Sequence, residues 1–157
     1  MGRGHYRHRD GPGDEEISMK RRKGREYAFQ FLFQFDFTGA RPEKKDFDLF
    51  WADKNGDADL RKFTEDIVSG TLHNLSEIDA AIQKAAEHWV LQRMAAVDRN
   101  ILRFAAYELL YRSDIPSAVT INEAIEIAKR YSTNESASFI NGILDTIAKG
   151  IEGKRMR

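Results

Sequence analysis

YAFQFLFQFDF, residues 27–37, decides the fold class. Its phenylalanines fall at alternate positions, Phe29, Phe31, Phe33, Phe35 and Phe37, which suits a β-strand. The same stretch also obeys a helical spacing. Ala28, Phe31, Leu32 and Phe35 recur at i, i+3, i+4 and i+7, while Phe29, Phe33 and Phe37 form a second stripe at i, i+4 and i+8. The helical reading uses every apolar residue, and the flanks carry no turn signals. The spacing therefore predicts a helix from about Lys20 to Phe37, apolar on two faces and packed in the middle of a bundle.

Immediately upstream stands a cationic run: Lys20, Arg21, Arg22, Lys23 and Arg25. The chain has a formal net charge of zero, but residues 1–25 hold eight Lys/Arg against four acids, which leaves the remainder at −4. A slightly acidic body with a basic arm points to local anion binding. Residues 1–18, with Gly2, Gly4, Gly11, Pro12 and Gly13 and few apolar groups, are expected to be disordered. Met19 directly precedes the basic run and is a candidate translation start.

Downstream, Thr38 to Asp59 reads as a loop with one helical turn around Phe47 to Trp51. Leu60, Phe63, Ile67 and Val68 mark a second helix ending near His73-Asn74. Ser76 is the expected N-cap of a third, which carries Ile78 and Ile82. Val97, Ile101, Leu102, Ala105 and Leu109 mark a fourth. It should stop before Pro116, because a residue preceding proline disfavours the α region. Thr120 and Glu123 have the spacing of a capping box opening a fifth helix through Tyr131. Asn134 is the expected cap of a sixth, with Ala137, Ile140, Leu144, Ile147, Ala148 and Ile151 on one face. No strand pattern remains. The expected organisation is a disordered extension over 1–18, one all-α domain over 19–151 made of two packed helical sub-bundles, and a basic tail over 152–157.

The 157 residues, 41% of them apolar, suit a single domain. Absence of Cys removes disulfides, thiolate catalysis and thiolate metal sites, and fits a reducing compartment. No apolar run is long enough to span a bilayer, and Gln30, Gln34 and Asp36 spoil the Phe-rich stretch as a signal peptide. The protein is expected to be cytosolic. His73 and His88 stand alone, and no HExxH spacing occurs, so no metal site is predicted. Asp98, Glu108, Glu123 and Glu126 lie on helical stretches beside Arg or Lys and read as solvated ion pairs. No catalytic residue and no cofactor is predicted.

The arm feeds straight into a buried helix, so its charges project from a fixed point. Each Lys or Arg that meets a phosphate of a single strand contributes about 0.7 to the salt slope, and arginine planes stack on unpaired bases. The sixth helix adds Phe139, which lies off the Ile140/Leu144/Ile147 face, near Asn134, Glu135, Ser136 and Ser138. A half-exposed Phe there suits base stacking; filling a groove between helices is the equal alternative on spacing alone. On the fourth helix, Asp98, Arg99 and Arg103 flank the apolar seam and offer a mixed-charge face for a protein partner.

Three segments, AVDRNILRFAAYELLYRSDIP (96–116), VTINEAIEIAKRYS (119–132) and SASFINGILDTIAK (136–149), resemble the NusB transcription antitermination factors. RRKGREYAFQFLFQFDF resembles the arginine-rich start and first helix of that family. The resemblance implies an all-α fold of two packed three-helix sub-bundles and no catalysis. It implies binding of boxA-type single-stranded RNA from ribosomal RNA leaders, jointly with the small-subunit ribosomal protein NusE, in an antitermination complex with RNA polymerase. Carried over by position, the RNA surface would comprise Lys20, Arg21, Arg22, Lys23, Arg25, Asn134, Glu135, Ser136 and Phe139. The NusE-facing residues would be Asp98, Arg99 and Arg103. An acid at Glu135 should weaken RNA binding, so a Gln or Lys there should tighten it. Phe33 stands where some relatives carry Tyr, and 38–59 does not match clearly. Two other readings compete: a structural homodimer, and an accessory domain acting in trans with an RNA methyltransferase.

Overall fold

The computed structural model describes the backbone of residues 2–155 and the side chains of residues 13–154. Among these residues it holds seven α-helices and no strand. They are α1 (Gly2–Asp36), α2 (Lys44–Trp51), α3 (Ala58–His73), α4 (Leu75–Ala85), α5 (Ala96–Tyr111), α6 (Ser117–Tyr131) and α7 (Asn134–Arg155), with a 3₁₀ turn at Leu91–Arg93 between α4 and α5. The helical reading of the Phe-rich stretch holds.

α5 is the central element. It packs against α1, α3, α4, α6 and α7, while α1 lies mainly on α3, and α6 on α7. Along α5 every residue from Asn100 to Ala106 is buried, together with Asp98, Glu108 and Leu109. A helix surrounded in this way must be apolar almost all round, and the polar groups it buries need partners.

The aromatic stretch supplies the opposing wall. Phe31 is 1% exposed and stacks between Phe35, at 4.7 Å, and Phe47 of α2, at 4.6 Å, with Phe50 edge-on at 5.2 Å. α2 therefore covers the outer side of this layer and is longer than the single turn expected. The second stripe grades outward, from buried Phe29 through half-buried Phe33 to exposed Phe37.

Gly24 explains why a glycine sits inside the cationic run. A Cβ there would lie 2.6 Å from the Phe63 ring of α3, so only glycine allows α1 and α3 this close. Gly70 does the same for α3 against α5, where a Cβ would meet the Tyr107 ring at 2.3 Å.

Several expected boundaries need correction. Helical backbone begins at Gly2, not Lys20, where disorder was expected over 1–18. Side chains of residues 1–12 lie outside the described residues, and those of 13–18 are exposed. The 152–157 tail is helical as far as Arg155; residues 156 and 157 lie outside the described residues. Ser76 is not a cap: Asn74 ends α3 and begins α4, so the two helices meet at one residue. The Thr120/Glu123 capping box does not form. α6 opens earlier, at Ser117 after Pro116, which places both residues inside the helix and buries them against α1 and α5. Asn134 is the first residue of α7, and Thr133 Oγ1 caps it by accepting from Ser136 N–H at 3.0 Å.

Candidate nucleic-acid interface

The cationic run divides by helical phase. Arg25 points inward and is 1% exposed. Its Nε and Nη2 donate to both carboxylate oxygens of Glu108 on α5, at 2.7 and 3.0 Å, and the Thr120 hydroxyl donates to the same carboxylate at 2.8 Å. This corrects the assignment of Arg25 to an RNA surface. A buried bidentate pair fixes the helix, and burial keeps the guanidinium out of reach of a phosphate.

The other four cations lie nearer the surface. Arg22 leaves 66% of its side chain exposed while its Nε donates to Glu123 of α6 at 3.1 Å. Lys23 is exposed and sits 4.9 Å above the Tyr27 ring. Lys20 pairs with Asp57 at 2.9 Å, and Arg21 lies 5.3 Å from the Phe63 ring centroid. Hydrogen bonding to Asp57 raises the Lys20 ammonium above its ordinary value, so it stays charged at any physiological pH. Glu123 also lies 3.8 Å from Arg25. Nearby, Glu26 accepts from the Tyr131 hydroxyl and pairs with Arg130 at 2.8 Å.

At the start of α7, Asn134 and Glu135 are exposed. Ser136 is half-buried and donates to Asp98 at 2.9 Å. Phe139 is half-buried and meets Trp89 edge-to-face, ring centroids 5.4 Å apart at 75°. Stacking and groove filling were alternatives on sequence; the geometry leaves Phe139 partly open beside a second aromatic ring that the sequence reading missed. The signal was legible: Trp89 and Val90 lie in a short linker with no helical period to bury them.

Asp98, Arg99 and Arg103 do not present the free mixed-charge face expected. Asp98 is buried and accepts from Ser132 and Ser136, both at 2.9 Å. Arg103 is buried between Asp79 of α4 and Asp36 at the end of α1, each at 2.9 Å. Arg99 donates to Asp36 at 2.6 Å. All three are consumed by internal partners because α5 is enclosed and its polar groups must be satisfied there.

Burial alone would push the Asp36 carboxyl up. Hydrogen bonds from Arg99, Arg103 and Asn100 outweigh it and hold the group below its ordinary value. A carboxylate whose pKa is lowered in the folded state contributes stability above its unfolded value of about 3.9. That contribution is lost as pH falls through the lower folded value. Asp36→Asn is therefore expected to cost about 2–3 kcal/mol near neutral pH. Thermal melts of wild type and variant should converge in acid; a constant gap down to the lowest pH at which the fold survives would contradict this.

Among the described residues no group of three or more His, Asp or Glu side chains could hold a metal, and no helix is long and apolar enough to cross a membrane.

The NusB family model matches residues 22–149. The chain belongs to the NusB family. Among its relatives, the transcription antitermination protein NusB of Thermodesulfovibrio yellowstonii is 47% identical over 83% of this chain and 93% of that protein. The protein of the same name from Desulfitobacterium hafniense is 49% identical over 87% and 93%. Of solved structures, T. maritima NusB has a TM-score of 0.74 at 44% identity, covering 82% of this chain and 90% of that one. The antitermination factors NusB and NusE in complex with dsRNA give a TM-score of 0.75 at 28% identity, covering 84% and 98%. The NusB-family all-α fold is thus established for this chain.

Proposed function

We propose that this NusB-family chain is a non-enzymatic transcription antitermination factor. It binds boxA-type single-stranded RNA of ribosomal RNA leaders together with NusE, in a complex with RNA polymerase in the cytoplasm. The observation that carries the reading is the exposed cationic side of α1, Arg22 and Lys23 above all, set on a helix whose other face is locked into the core by Arg25 and Phe31. Phosphates need cations at a fixed place, and this anchoring supplies one. The RNA surface comprises Lys20, Arg21, Arg22, Lys23, Asn134, Glu135, Ser136 and Phe139. NusE would dock near α5 through groups other than the internally paired Asp98, Arg99 and Arg103. The homodimer and methyltransferase-accessory readings gain no support from the relatives.

Titration of a short boxA-type RNA, single-stranded and as a duplex, tests this. Arg22→Glu with Lys23→Glu should weaken binding of single strands at least tenfold and flatten the salt dependence by about 0.7 per lost contact. Helical circular dichroism should be unchanged. NusE should tighten RNA binding, and RNA should tighten NusE binding by the same factor. Equal RNA affinity with and without NusE would remove the cooperative part of the proposal.

A further inference from the structure

An open groove of about 610 Å³ lies between the α1–α2 loop, α2, α3 and the end of α5, and none of its lining comes from α1, α6 or α7. It is therefore separate from the two helix starts assigned above to RNA. Its walls are apolar: Phe47, Leu72 and Tyr107, each half-buried. Phe47 is backed by Phe31, stacked at 4.6 Å, and Tyr107 by Tyr111, stacked at 5.7 Å. The Tyr107 ring lies over Gly70, and its hydroxyl has no hydrogen-bond partner among the described residues.

The rim is cationic. Arg41, on the α1–α2 loop, and Arg112, just past α5, border the groove with His73. Neither guanidinium is fully engaged. Arg41 Nη2 donates to the Leu72 carbonyl at 3.4 Å. Arg112 Nε and Nη2 donate to Asp114 at 2.9 and 3.0 Å, which orients the fork and leaves Nη1 over. Beyond residues 1–25 the chain carries a net −4, so two arginines against one carboxylate, Asp66, run counter to the surrounding charge.

We propose that this groove docks an acidic segment of a protein partner, one that carries an aromatic side chain between carboxylates. Apolar walls with a few polar groups at the edge take a side chain and fix its orientation. Guanidinium forks on opposite elements take carboxylates on either side of it. The Tyr107 hydroxyl and the exposed Asp66 carboxylate both accept from peptide N–H groups. A nucleic-acid strand, with a phosphate at every residue and few such donors, would meet Asp66 as repulsion. Docking here leaves the RNA surface free.

Amide shifts of the full, isotope-labelled chain, titrated with the capped peptide Asp-Asp-Phe-Asp-Asp, test this. Signals from Ser69 to His73 and from Arg112 should move saturably, with a Kd of about 1 mM or lower. Replacing the peptide's phenylalanine by alanine should weaken binding about fivefold or more, and the basic counterpart Lys-Lys-Phe-Lys-Lys should not bind. Arg41→Glu should weaken the acidic peptide about tenfold or more, while RNA affinity stays within about twofold. Absence of a saturable shift, equal binding of the basic peptide, or unchanged peptide affinity of Arg41→Glu would overturn the docking site. Tighter occupation of the same signals by inorganic pyrophosphate or a short single-stranded RNA would assign the rim to phosphate groups and also overturn it. The same shifts on concentrating the chain alone would seat a second copy there, with the same consequence. Arg112→Gln should act in the same direction as Arg41→Glu. Arg41 is exposed on a loop, so its variant decides the matter even if Arg112→Gln folds poorly.

Discussion

Arg25→Ala is expected to lower the stability of the fold by about 3–5 kcal/mol. For a chain of this size that corresponds to a melting temperature lower by roughly 6–20 °C. The cost arises on the partner: Glu108 is 0% exposed and would keep only the Thr120 hydroxyl. An uncompensated carboxylate in that position is far worse than no carboxylate. Arg25→Met combined with Glu108→Leu should therefore recover much of the loss. Arg22→Ala, three residues earlier and largely in water, should change stability by no more than about 0.5 kcal/mol and act on RNA affinity instead. Thermal and denaturant unfolding of the variants, set beside RNA titrations, separates the two roles. An Arg25→Ala protein of wild-type stability that no longer bound RNA would return this arginine to the interface.

Phe31→Ala should cost about 3–5 kcal/mol as well, for a different reason. It removes a ring that is 1% exposed and is sandwiched by Phe35 and Phe47, so the cavity borders two helices and cannot close without moving α2. Aromatic pairing adds about 0.5–1.5 kcal/mol to the loss beyond burial. Along the same stretch of chain the cost should fall with exposure: smaller at half-buried Phe35, and within about 0.5 kcal/mol at Phe37, just past the end of α1 and 70% exposed. Urea midpoints for the three alanine variants give the test. Equal losses at all three positions would mean that the buried stripe is not the one that packs.

The Phe-rich stretch could be read from sequence because two interleaved helical stripes account for every apolar residue, whereas a strand leaves Ala28 and Leu32 on the wrong side. α5 was legible for the same reason. What local pattern could not separate was the fate of five adjacent cations. Arg25 differs from its neighbours only in pointing at Glu108, 83 residues away in sequence. Composition carries no trace of such a partner. The polar residues of α5 misled in the same way: Asp98, Arg99 and Arg103 look like a solvated face until Asp36, Asp79 and two serines are found around them. Gly24 had no meaning until α3 stood against it. Thr120 and Glu123 had the right spacing for a cap, but Pro116 allowed the helix to start earlier. Trp89 was missed because attention to periodicity passes over aromatic residues in linkers.

Glu123 stands between an outer and an inner arginine, 3.1 Å from Arg22 and 3.8 Å from Arg25. Were a phosphate to draw Arg22 away, the carboxylate would not be orphaned, since the second guanidinium lies 3.8 Å behind it. The outer side chain can change allegiance at small cost to the fold, like an understudied role that one player may leave. Without that reserve, each encounter with RNA would have to strand a negative group at the edge of the core.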